Sequence, residues 1–159
     1  MTRLSKAGTT AAAISLAALG YALGADARQP HTRVTAPDLP LRAGAPYSQG
    51  VMAGDLLFLS GNIGTDPATG KPPAAFGDAT RQSLANLGKV LRAADLSWED
   101  VVKVNVFVKD VARYEEFNGI YASTLPTPFP ARTFLVVADL PGGGQIEIEA
   151  VAVRRQVLR

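Results

Sequence analysis

Between Val102 and Lys109 the chain alternates without a break, with Val102, Val104, Val106 and Val108 interleaved by Lys103, Asn105, Phe107 and Lys109. A period of two, dense in β-branched residues, is the pattern of a pleated strand with one buried face, and no helix gathers residues of that spacing on one side. Whatever surrounds this strand must supply a sheet and an apolar cover for it. The flanking segments answer with helical spacing. Leu84, Leu87, Val90, Leu91 and Ala94 return at three- and four-residue steps, predicting a helix over 78–94 capped by Asp78. Val111, Tyr114, Phe117, Ile120 and Tyr121 predict a second, capped by Asp110 and running to about Ser123, where Pro126, Pro128 and Pro130 end it.

Strands over 49–53 and 56–60 join through Gly54-Asp55, a hairpin-turn dipeptide, and the three prolines between Asp66 and Pro73 make that stretch a loop. Two last strands, 133–138 and 145–154, flank Leu140-Pro141-Gly142-Gly143-Gly144. The order ββ-α-β-α-ββ gives an α+β class: a single domain, with a mixed sheet of about five to six strands and two helices on one face. In the last strand Ile146, Ile148, Ala150 and Ala152 face one way and Glu147, Glu149, Val151 and Val153 the other. Exposing Val151, Val153 and Phe107 on the helix-free face forgoes roughly 25 cal/mol per Å² of apolar area, so a homo-oligomer is expected.

Arg3 and Lys6 precede an uncharged stretch from Ala7 to Ala25 and an A-x-A pattern at Ala25 and Ala27, a secretory signal layout over residues 1–27. Its apolar centre falls short of the roughly 20 residues that span a bilayer, so cleavage, a periplasmic or secreted location and no stable membrane association are expected. With no cysteine, an oxidising compartment leaves the fold unaffected. Residues 28–45, with Pro30, Pro37 and Pro40, read as an extended lead-in without helix or strand, and the single histidine, His31, is an ordinary loop residue there. A formal net charge of +2 without a Lys/Arg run gives no footprint for nucleic acid.

Two places can carry chemistry. Arg132 follows Thr127-Pro128-Phe129-Pro130-Ala131 at a strand start, where a fixed guanidinium can grip a carboxylate through two parallel hydrogen bonds or simply satisfy carbonyls or a surface acid. Glu147 and Glu149 share a partly apolar face, which can raise a carboxyl pKa toward proton-carrying work; the alternative is pairing with Arg154, Arg155 or Lys103.

Six segments then fall in one order: Pro46-Tyr47-Ser48-Gln49-Gly50, Leu59-Ser60-Gly61-Asn62-Ile63-Gly64, Val102 to Asp110, Phe117-Asn118-Gly119-Ile120-Tyr121, Phe129-Pro130-Ala131-Arg132-Thr133, and Ile146 to Ala152. Together they closely resemble the successive motifs of the RidA (YjgF) reactive-intermediate deaminase family, from about Pro46 to Arg155, which makes 46–159 a RidA-like domain. The resemblance implies a chorismate-mutase-like subunit, a homotrimer with its sites between subunits, and hydrolysis of 2-imino or enamine acids such as 2-aminoacrylate to 2-keto acids and ammonia. It implies no metal and no organic cofactor. By position, Arg132 resembles the family's carboxylate-binding arginine and Glu147 its water-orienting acid, while Tyr47, Ser60, Gly61 and Asn118 match further site positions. Phe134 stands where many members carry a small residue or cysteine, which implies a narrower or more apolar pocket, and Asn62 replaces a more frequent glutamine. The competing expectation is a non-catalytic trimer that binds small carboxylates or acts as a holdase. Ribonuclease activity lacks an acid–base histidine pair and a basic-aromatic stripe.

Overall fold

The computed structural model describes residues 31–39, 41 and 44–155; the expected signal segment lies outside the described residues. Six strands, β1 (Thr32–Val34), β2 (Gly50–Ala53), β3 (Leu56–Asn62), β4 (Val101–Val108), β5 (Ala131–Val136) and β6 (Ile146–Val153), form one mixed sheet in the order β1-β2-β3-β6-β4-β5. The β4–β5 pair is parallel, and every other neighbouring pair runs antiparallel. Two α-helices, α1 (Phe76–Ala93) and α2 (Tyr114–Thr124), complete the α+β architecture.

The last strand of the sequence is central in the sheet, and its alternation decides which face is core. Ile146, Ile148 and Ala152 are fully buried and Ala150 nearly so, matched on β4 by fully buried Val104, Val106 and Val108. Leu84, Leu87, Val90 and Leu91 of α1, with Phe117, Ile120 and Tyr121 of α2, join them in one cluster. The opposite face keeps Glu147, Glu149, Val151 and Val153 half-buried, and Phe58 stands 47% exposed on it.

Several expectations need correcting. The lead-in is not bare: Thr32–Val34 pairs with β2, and the buried Gln49 carboxamide accepts from the Ala36 N–H and donates to the Leu39 carbonyl. That staple buries Val34, Ala36 and Leu39. A three-residue strand between prolines carries too little pattern to be seen beforehand. Asp78 does not cap α1, which starts two residues earlier because Phe76 is drawn into the core; the cap position is Ala75, without a side-chain bond, and Asp78 pairs with Arg81 at 3.1 Å in the first turn. Asp110 caps the 3₁₀ turn Val111–Arg113, accepting from the Ala112 N–H at 2.9 Å, and α2 follows it. Val102 leaves the buried valine set, because the register with β6 slips between Val101 and Lys103 and turns its side chain outward.

Candidate active site

Arg132, second residue of β5, pairs in register with Val104. Paired residues share a sheet face, so its side chain rises on the helix side, toward α2. There the guanidinium carbon lies 5.0 Å from the Tyr121 ring centre, 5.2 Å from Phe117 and 5.7 Å from Tyr114. Three- and four-residue steps put those rings on one side of the helix. Phe134, two residues along β5, closes the cradle, standing edge-on to Tyr114 at 5.0 Å and tilted on Phe117 at 5.4 Å. Arg132 Nη2 donates to Asn118 Oδ1 at 2.9 Å and to the Tyr114 hydroxyl at 3.3 Å. No carboxylate pairs with this guanidinium among the described residues. Its charge is held by ring faces and two neutral oxygens, leaving its full attraction for an anion. Burial raises the Tyr121 hydroxyl above the ordinary tyrosine range, opposed in part by Arg132.

Glu147, second residue of β6, pairs with Phe107 on the helix-free face. Its carboxylate lies against Gly61, at the irregular end of β3 where the register slips between Leu59 and Asn62; a Cβ there would overlap the Glu147 Oε1 atom. The glycine is therefore a condition for the carboxylate's position. The backbone around it is pinned on both sides. Ser60 donates to the Ser48 carbonyl at 2.7 Å, the Asn62 carbonyl accepts from Ser83 Oγ at 2.7 Å, and Asn62 Oδ1 accepts from Asn86 Nδ2 at 3.1 Å. Burial, and secondarily the neighbouring Glu149, push the Glu147 carboxyl above the usual glutamate range. Glu149 itself accepts from Asn105 Nδ2 at 2.8 Å. The cations that sequence offered as partners are engaged elsewhere: Lys103 with Thr133, Arg154 with the Ala94 carbonyl, Arg155 with Asp100 and the Glu99 carbonyl. Tyr47, 56% exposed, joins Ser60, Gly61 and Ile63 around a cavity of about 400 Å³.

The seven residues singled out by sequence thus fall into two half-sites. Arg132, Asn118 and Phe134 lie at β5 and α2, whereas Glu147, Gly61, Ser60 and Tyr47 lie at the β3–β6 end. Within one chain the halves do not meet. Arg132 is in register with Val104 and Glu147 with Phe107, two strands and three residues apart, roughly 10 Å in each direction, and their side chains leave opposite faces of the sheet. Sequence reasoning did not single out Tyr114 as a polar neighbour of Arg132; its place in an apolar helical stripe marked it as core. No group of three potential metal ligands occurs among the described residues.

A mixed six-stranded sheet with two helices on one face is the YjgF type of α+β subunit. The YjgF gene product of Escherichia coli superposes with a TM-score of 0.71 at 40% identity, covering 78% of this chain and 99% of that one. Escherichia coli TdcF with bound serine superposes with a TM-score of 0.71 at 35% identity over 78% and 99%. In sequence, residues 38–154 match the family model described as Endoribonuclease L-PSP. The 2-iminobutanoate/2-iminopropanoate deaminase of Escherichia coli K12 is 43% identical over 113 residues, 69% of this chain and 88% of that protein. Its namesake in Bos taurus is 39% identical over 110 residues, 69% and 80% of the respective chains. The chain belongs to the RidA (YjgF) family. The match begins eight residues ahead of the Pro46 motif, in the segment that Gln49 staples to the sheet.

Proposed function

We propose that this protein hydrolyses 2-imino and enamine acids, such as 2-aminoacrylate, to 2-keto acids and ammonia, at sites completed between the subunits of a homotrimer. The observation that carries the reading is the pair of half-sites facing away from each other on one chain: an arginine unpaired by any described carboxylate, and a carboxylate held half-buried against a glycine. Relatives named as 2-iminobutanoate/2-iminopropanoate deaminases support the same chemistry. The helix-free sheet face, with Phe58 and the half-buried Val151 and Val153, supports an assembly that covers it.

In this reading Arg132 of one subunit grips the substrate carboxylate, and Glu147 of another faces the adjacent C=N carbon. The carboxylate of Glu147 takes a proton as water adds to that carbon. It returns the proton to the amine nitrogen of the carbinolamine, and as the C–N bond breaks the hydroxyl proton passes to the departing ammonia, so protonated imine plus water gives keto acid plus ammonium. Burial suits Glu147 to this work, since a raised pKa makes its carboxylate a better base than an exposed glutamate. Asn118 steadies the guanidinium, and Gly61 leaves the room that the Glu147 carboxylate occupies.

The test is complementation. The reaction is followed as loss of imine released by an amino-acid oxidase or threonine dehydratase. Arg132→Ala and Glu147→Gln are each expected to be inactive as pure proteins. Subunits of the two exchanged at equal amounts regain roughly one quarter of wild-type turnover, because about that share of interfaces joins an intact arginine to an intact glutamate. Mixtures as silent as their parents sink the shared-site reading. A wild-type protein stabilised by keto acids without turning over any imine points instead to the non-catalytic carboxylate binder.

A further inference from the structure

The Arg132 guanidinium has five N–H donors, and a carboxylate gripped by two parallel bonds takes either Nη1 with Nη2 or Nε with Nη2. Both modes need a hydrogen on Nη2. Within the chain Nη2 already donates to two acceptors, Asn118 Oδ1 at 2.9 Å and the Tyr114 hydroxyl at 3.3 Å. An arriving acid must displace one of them. The Asn118 bond is the shorter and half-buried; the Tyr114 bond is longer, and Tyr114 is 39% exposed. Tyr114 yields.

What happens to its hydroxyl follows from its chemistry and its anchorage. A tyrosine hydroxyl both accepts and donates, so it can turn its O–H toward the same carboxylate that displaces it from Nη2. Its ring need not move, being braced edge-on against Phe134 at 5.0 Å with the guanidinium 5.7 Å from its centre. We propose that Tyr114 is a second carboxylate-binding residue: it holds Nη2 in place until the acid arrives and then donates its own hydrogen to the acid, adding a third bond to the arginine's two. This rests on the reading of Arg132 as the acid anchor, and it assigns a binding role to a residue that in sequence reads as part of a helix's apolar stripe.

Tyr114→Phe keeps the ring and removes the hydroxyl, and the sign of its effect decides the matter. If the hydroxyl joins the grip, the variant binds pyruvate roughly tenfold more weakly by calorimetry, and KM for the imine rises by a similar factor, with kcat within about twofold and Tm unchanged. If the hydroxyl merely competes for Nη2, its removal leaves binding equal or tighter, and the proposal is overturned. Weaker pyruvate binding by the variant, in a protein whose wild type turns over no imine, would leave this inference standing and defeat the deaminase reading. Imine turnover with KM unraised in Tyr114→Phe would do the opposite.

Discussion

The two half-sites fix their functional groups by opposite means. Arg132 is held by mass: three rings of α2, two of them backed by Phe134, crowd its guanidinium, and two neutral oxygens accept hydrogen bonds from it. Glu147 is held by the lack of it, lying where Gly61 has no side chain, against a backbone pinned through Ser60 and Asn62. A cation tolerates contact with ring faces and keeps its charge there, whereas a carboxylate pressed against an apolar neighbour loses water and gains basicity. Packing therefore serves orientation on one side and proton affinity on the other.

Breaking the clear side should cost most. Gly61→Ala puts a methyl where the Glu147 Oε1 atom sits, and because the glutamate side chain can swing away, the fold survives while the carboxylate is displaced. About a hundredfold loss of kcat is expected with Tm nearly unchanged, since a misplacement of about 1 Å costs that much. A large loss of Tm instead would mean that Gly61 serves the fold and not the site. On the crowded side, Arg132→Lys keeps a cation among the rings but replaces the planar fork with a point charge. A ten- to hundredfold fall in kcat/KM, mostly in KM, is expected from the lost charged hydrogen bond; wild-type KM would show that charge alone suffices. The smallest effect concerns pH. In the proposed reaction Glu147 acts as a base when ionised, so activity is expected to fall as pH drops through its raised pKa. Glu149→Gln removes the second cause of that rise and leaves burial, the larger one. The acid limb of kcat/KM should move to lower pH, and a limb that stays put or moves up would detach it from Glu147.

Much of the fold was legible because its two most buried strands are also its most regular in sequence. The β6 alternation of Ile146, Ile148, Ala150 and Ala152 against Glu147, Glu149, Val151 and Val153 is reproduced residue for residue in burial. The β4 valines follow it except Val102, which a register slip turns outward. Strand β1 was hidden because Thr32–Val34 borrows its stability from β2 and from the Gln49 carboxamide rather than from its own pattern. The site residues were legible as motif positions, but their division between two faces was not. That depends on β5 joining β4 in parallel with Arg132 opposite Val104, and on β6 lying antiparallel with Glu147 opposite Phe107, registers set by the whole sheet. Tyr114 escaped for a local reason: three aromatics at 114, 117 and 121 read as a helix's buried stripe until β5 places a cation over them.

The orientation of Arg132 and Glu147 toward opposite sides of one sheet carries a quantitative corollary for the proposed reaction. On the proposed reading an isolated chain is an inert half-machine, and output per molecule climbs with dose until association is complete. Dilution alone then acts as an off switch, and a copy lacking one of the two groups disables only the interface that needs it.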